Sequence, residues 1–325
     1  MPTLAIARPS ALQVQPADLP RLPPCVVSRP ALLQRLLASE SRLRLLCAPA
    51  GSGKSVLLGQ CARHTLAGVE RVWLDLGGRS LTPPQLCKRL AAAMQLPFDD
   101  TGEAGLIDRL HEHAGRLWIF IDDYPRQADD ELDACLDRVF AAAPQQITWW
   151  VASRRIPAWN LPRLLLQGDL LELQGEELAL DDAALTELLA ALQVSLADDV
   201  RQALLERSEG WLAAIRLLLL DADEDALRQR LQEGCPVLRD YVQHEVLADL
   251  DEELRSDLHA LALLPRFSLP LCEHLLEGRG SELLGELQRR QLFVRSLDSS
   301  GTWFRLWQPL AEVLRRLPGA PVPAS

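Results

Sequence analysis

Between Leu43 and Leu173 the chain repeats one pattern, a run of four or five almost wholly apolar residues followed by a stretch of helical period. The runs are Leu43–Cys47, Val72–Leu76, Leu117–Ile121, Ile147–Val151 and Leu170–Leu173. A strand wetted on one face would alternate apolar and polar residues. Near-continuous apolarity is what strands buried on both faces of a parallel sheet require. Helical stretches fall between the runs at Lys54–Thr65, Pro83–Met94, Glu103–His113 and Asp129–Ala142, and they supply the crossovers that parallel strands need. The alternation predicts a three-layer α/β domain over residues 25–175.

Past Gln174 the apolar runs give way to leucine-rich amphipathic segments at Asp181–Leu192, Ala197–Ser208, Trp211–Leu220 and Glu224–Glu233, a helical domain over 176–235. Two more such segments, Arg239–Leu250 and Glu252–Leu264, precede a single β-like feature. There Leu292–Leu297 and Thr302–Leu306 flank Asp298-Ser299-Ser300-Gly301 and read as a hairpin. With a last helix at Leu310–Leu317, this end predicts a winged-helix unit over 236–317. Residues 1–24 are punctuated by prolines and read as a flexible arm, and 318–325 as a disordered tail.

Composition narrows the function classes. A length of 325 residues suits two or three compact units, and a net charge of -11 argues against a polyanion as main partner. Seven scattered cysteines without a CxxC pair suit reduced, mostly buried thiols in a cytoplasmic protein rather than disulfides or a zinc site. The longest apolar run, Trp211–Leu220, is interrupted by Arg216 and is too short to span a bilayer, so it reads as a buried helix and no membrane partner is expected.

The chemistry concentrates in Ala48-Pro49-Ala50-Gly51-Ser52-Gly53-Lys54-Ser55, set between a predicted strand and a predicted helix. That context is the one a phosphate-binding loop requires. Gly51 and Gly53 allow torsions that aim successive backbone amides at phosphate, and the helix that follows adds its positive end. Ala50, Gly51, Ser52, Gly53, Lys54, Ser55 and Val56 are therefore the candidate residues for ATP or ADP. Lys54 would reach the β- and γ-phosphates, and the Ser55 hydroxyl would ligate Mg²⁺. Downstream, the apolar strand Leu117–Ile121 ends in Asp122 and Asp123. In this position the first acid holds Mg²⁺ and the second can orient an attacking water. Arg154, closing the next predicted strand, is placed to sense a γ-phosphate, which completes the candidate catalytic set of Asp122, Asp123 and Arg154.

These stretches resemble the MalT-like, large LuxR-type transcriptional regulators, which belong to the signal-transduction ATPases with numerous domains. The phosphate loop is similar to that family's APAGxGKT, Asp122-Asp123-Tyr124 to its DDYH with Pro125 in place of the histidine, and Ala152-Ser153-Arg154 to its ASR. Further matches are Ser208-Glu209-Gly210-Trp211 to TEGW, Asp240-Tyr241 with Glu245-Val246-Leu247 to the entry of the winged helix, and Leu292-Phe293-Val294 and Trp303-Phe304-Arg305 to its NLF and WYR segments. Two positions depart from the family. The resemblance implies a proline packed near the adenine where Leu212 stands, and a histidine at the ADP phosphate where Trp307 stands. The resemblance implies a P-loop switch that contacts another protein, a regulator or sensor chain, and hydrolyses ATP slowly or not at all. It implies too that the family's sensor repeats and C-terminal DNA-reading helix-turn-helix lie outside this chain.

Two other readings compete. One is a DNA-binding regulator using its own winged helix, for which Arg279, Arg289, Arg290, Arg295, Arg305, Arg315 and Arg316 make the final segment locally basic. Arginines on amphipathic helices are ordinarily a solvated face, so direct DNA binding is the weaker expectation. The other is a small-molecule kinase or another metabolic NTPase, for which no acceptor-binding motif is visible.

Overall fold

The computed structural model describes residues 19–317 except 28, 65, 97–101, 292–293 and 299. Most of the expected N-terminal arm and the whole of the expected C-terminal tail lie outside the described residues, as do Leu292, Phe293 and Ser299 of the expected hairpin.

All five apolar runs are strands, β1 (Leu43–Cys47), β2 (Val69–Asp75), β3 (Arg116–Asp122), β4 (Ile147–Ser153) and β5 (Leu170–Gln174). They form one parallel sheet in the order β2-β3-β4-β1-β5. Successive side chains alternate between two apolar layers. Leu43, Leu45, Ile119, Ile121, Trp149 and Val151 face one, and Leu46, Trp118, Phe120, Trp150 and Leu173 face the other. Both Trp149 and Trp150 are therefore core, on opposite faces. On the second face Trp150 stacks with Phe120 at 5.1 Å between centroids, and Phe120 stacks with Trp73 at 5.7 Å.

One polar residue interrupts the first run. Arg44 is buried, with its guanidinium 4.4 Å from the Trp150 ring, and its Nε and Nη1 donate to Leu36 O and Ser41 O at 2.7 Å each. It thus satisfies carbonyls at and beyond the end of the helix Pro30–Ala38, the role a capping cation takes. Burial pulls its pKa down to about 10.

The four predicted crossovers are present as Lys54–Arg63, Pro83–Ala93, Gly102–Glu112 and Asp130–Ala142. The next four amphipathic segments are helices too, and the one at Leu212–Leu219 buries Ala214, Ile215, Leu218 and Leu219.

The C-terminal part differs from expectation in three ways. The segment Arg239–Leu250 is not one helix: an α-helix over Pro236–Tyr241 passes into a π-turn at Val242–Val246. Two unanticipated helices, Leu269–Leu275 and Gly280–Arg289, follow Glu252–Ala262. The hairpin strands β7 (Val294–Ser296) and β8 (Trp303–Leu306) pair antiparallel as expected, but a third strand, β6 (Phe267–Ser268), adds to β8 in the order β6-β8-β7. A two-residue strand carries too little period to be read in advance. The three-stranded sheet and its helices share one apolar core with the preceding helical segments, from Leu185 to Leu314.

Candidate nucleotide site

β1 ends at Cys47 and the next helix begins at Lys54, so the intervening loop must reverse tightly at the sheet's carboxyl edge. Gly51 and Gly53 make this reversal with φ of 72° and 87°, a region costly for any residue with a Cβ. Lys54 Nζ is buried and donates to Ala48 O at 2.6 Å and Pro49 O at 2.8 Å. Burial, reinforced by the nearby Arg154 charge, pulls this ammonium down to about 8. Ser52 Oγ is buried and, among the described residues, has no hydrogen-bond partner. An unsatisfied buried hydroxyl beside a buried cation and left-handed glycines makes a cradle that fits a polyphosphate.

Asp122 closes β3, and Ser55 Oγ donates to its Oδ1 at 2.8 Å, as does Asp123 N at 3.0 Å. Burial raises the Asp122 carboxyl above its ordinary value, with the Ser55 bond opposing the rise. Two adjacent hard oxygen donors of this kind suit Mg²⁺, so Ser55 and Asp122 are the residues fitted to hold it.

Because β4 lies between β1 and β3, its carboxyl end falls between the phosphate loop and Asp122. Arg154 follows β4 directly, and its Nε is 3.3 Å from Asp123 Oδ1. Asp123 has φ of 45° and also accepts from Arg126 Nη2 at 3.1 Å. The sheet order thus brings Ala50–Val56, Asp122, Asp123 and Arg154 to one edge.

Other residues complete the site without an advance signal. Arg155 and Asp133 form a buried bidentate pair at 2.7 Å for both bonds, and Asp133 also accepts from Tyr124 Oη at 2.8 Å. This pair ties the residue after Asp123 to the residue after Arg154.

From the helical part, Trp211 Nε1 donates to Ala50 O at 2.9 Å and Ala213 N to Gly51 O at 3.1 Å, so the loop is clamped from outside. Beside the loop lies a cavity of about 280 Å³ whose lining includes Val26, Val27, Gly53, Leu180, Leu212 and Arg216. Its walls are largely apolar and it opens onto the phosphate loop, as a purine pocket would. Leu212, the position that departs from the family's proline, is one of those walls. Trp307 is buried elsewhere, beside a cavity of about 410 Å³ that it lines with Pro49, Gly175 and Phe304.

Five of the seven arginines of the basic stripe near the C-terminus are paired with carboxylates of the chain. Arg279 pairs with Asp257 and Glu253, Arg289 and Arg290 with Glu286, and Arg295 with Glu176 and Glu209. Arg305 bonds Glu209 at 2.9 Å, while Arg315 and Arg316 donate to the carbonyls of Ala262 and Gln232. Glu209, buried and with φ of 49°, also accepts from Gln308 N at 2.8 Å, so one carboxylate joins the helical part to both hairpin strands and the last helix. No described helix is long and apolar enough to cross a membrane.

Comparison with known proteins bears on the fold and on the family likeness. The model of the MalT winged helix domain matches residues 243–323. The HTH-type transcriptional regulator MalT of Yersinia enterocolitica is 27% identical over 330 residues, covering 90% of this chain and 36% of the relative. MalT of Yersinia pestis is 26% identical with the same coverage. The chain therefore spans little more than a third of these relatives' length. Among solved structures, a Walker-type ATPase of Pyrococcus abyssi shares the fold with a TM-score of 0.57 at 15% identity, covering 93% of this chain and 98% of that one. The chain is thus similar to MalT over most of its length, with a P-loop α/β unit joined through a helical part to a segment that matches the MalT winged helix domain.

Proposed function

We propose that this chain is the nucleotide-operated switch module of a transcriptional regulator, acting in the cytoplasm by contact with another protein. ATP or ADP, with Mg²⁺, sits with its phosphates in the loop Gly51–Ser55 and its base in the cavity beside Leu212. One observation carries the reading: the phosphate loop is touched from three sides, by its own sheet, by Trp211 and Ala213, and by the winged-helix entry at Tyr241. A ligand that changes the loop must act on all three, which is what a switch requires and an isolated metabolic site does not.

Lys54 neutralises the terminal phosphates, Ser55 and Asp122 hold the metal, and Asp123 is placed to orient water. Asp123 is engaged by two arginines, a poor arrangement for a base, so hydrolysis is slow or absent. The small-molecule kinase reading has no acceptor-binding motif in the sequence to support it. The pairing of the C-terminal arginines weighs against direct DNA binding.

The test is to denature the purified protein and identify what it releases, beside a Lys54→Ala variant of equal fold. ADP or ATP from the wild type and none from the variant is the expected result. If the wild type releases none and takes up none when MgATP is added, the proposal fails.

A further inference from the structure

A chain of alternating charges links the α/β part to the winged-helix entry. Arg154 Nη1 and Nη2 bond Glu245 Oε2 at 3.2 Å each, and Nη1 reaches the Glu245 carbonyl at 3.1 Å. Arg126 Nη1 bonds Asp249 Oδ2 at 2.9 Å and its Nη2 bonds Asp123. The order is therefore Glu245–Arg154–Asp123–Arg126–Asp249. Both arginines and both distal acids line one small cavity of about 50 Å³, together with Arg155, Arg290, and Pro49 and Ala50 of the phosphate loop. Arg126 Nε is buried and, among the described residues, has no hydrogen-bond partner.

We propose that Arg126 acts with Arg154 as a pair that discriminates nucleoside triphosphate from diphosphate, and that Glu245 and Asp249 are the built-in carboxylates the terminal phosphate displaces. The inference rests on the nucleotide site proposed above and goes beyond it by assigning the discriminating contacts. Carboxylate and phosphate oxygens compete for the same guanidinium N–H groups in the same geometry. A diphosphate held by Gly51–Ser55 leaves both arginines with their acids. A triphosphate offers its terminal oxygens to the same guanidinium N–H groups, and contact with them displaces Glu245 and Asp249. These acids lie in the segment after Tyr241, at the winged-helix entry, so their release loosens that part from the sheet. By linkage, the energy that opens the contact is subtracted from triphosphate affinity.

The experiment measures binding of ADP and of a non-hydrolysable ATP analogue, each with Mg²⁺, by calorimetry. It uses the wild type, Glu245→Gln/Asp249→Asn, Asp249→Asn alone and Arg126→Gln. The double variant is expected to bind the analogue about tenfold more tightly with ADP affinity changed less than about threefold, within the usual range of coupling between sites. Asp249→Asn, at a more exposed carboxylate, is expected to shift the ratio the same way by a smaller factor, and it serves if the double variant does not fold. Arg126→Gln is expected to weaken the analogue selectively. An unchanged analogue-to-ADP ratio in the acid variants, with both nucleotides bound, overturns this inference and leaves the nucleotide site standing. Failure of the wild type to bind either nucleotide overturns the site itself.

Discussion

Asp133→Ala removes an acceptor that the structure uses four times. Its carboxylate takes two bonds from Arg155 at 2.7 Å, one from Tyr124 Oη at 2.8 Å and one from Ala158 N at 2.7 Å. Both charged side chains are buried, and without Asp133 the Arg155 guanidinium keeps the Pro125 carbonyl at 2.9 Å. Stranding one member of a buried pair costs about 3–5 kcal/mol, because the remaining charge has lost its water and its partner together. The orphaned Tyr124 hydroxyl and Ala158 amide act in the same direction but share relaxation with the charge, so they are not added separately. Against a folding free energy on the order of 5–15 kcal/mol, the loss is large.

The assay is urea unfolding at 25 °C followed by tryptophan fluorescence, since Trp159 lies 5.3 Å from the Tyr124 ring and reports on this region. Replacing both partners by apolar residues, Asp133→Leu with Arg155→Met, is expected to cost less than Asp133→Ala alone. A loss under about 1 kcal/mol for Asp133→Ala at unchanged denaturant slope would refute the reasoning. So would a double variant that is simply the sum of two large single losses.

Three further outcomes follow from named contacts. Lys54 is held down to about 8 in the protein, so above that pH it is largely neutral, and a phosphate that favours the charged form must bring protons back on binding. Calorimetry in buffers of differing ionisation enthalpy, without Mg²⁺, reads that uptake; zero uptake or proton release contradicts the assignment. Glu209→Gln removes the charge that holds Arg295 and Arg305, and is expected to cost about 2–4 kcal/mol and to raise hydrogen exchange in β7 and β8. Unchanged protection there would count against the clamp. Gly51→Ala places a Cβ 2.4 Å from that of Ala213 and 2.8 Å from Tyr241 Oη at a φ of 72°, so the loop and its clamp are expected to part. A loss of about 2–4 kcal/mol with altered Trp211 emission is the expected result, and wild-type stability with unchanged emission would contradict it.

What could be read from residue order is what neighbours in the chain enforce. Five strands were visible because burial on both faces leaves no room for polar residues in a strand, and Arg44 escapes that rule only by capping a helix and lying against Trp150. The phosphate loop was visible because consecutive residues build it, and Asp122 because a strand of apolar residues ends there. Helical period persisted through Arg239–Leu250 even though the structure winds Val242–Val246 more widely, since period alone does not distinguish α from π.

Tertiary structure decided the partners. Glu245 lies 91 positions from Arg154, and in sequence each is a charge that solvent would satisfy. The arginines of the hairpin read as part of a basic stripe on an acidic chain, and folding pairs them with Glu209. Trp211 declared a buried helix but not its bond to Ala50, 161 positions away. Backbone conformation and apolar period are written locally because they depend on adjacent residues. Which charge meets which depends on the strand order β2-β3-β4-β1-β5 and on how the helical and winged-helix parts close over its edge, and those distances exist only in the folded chain.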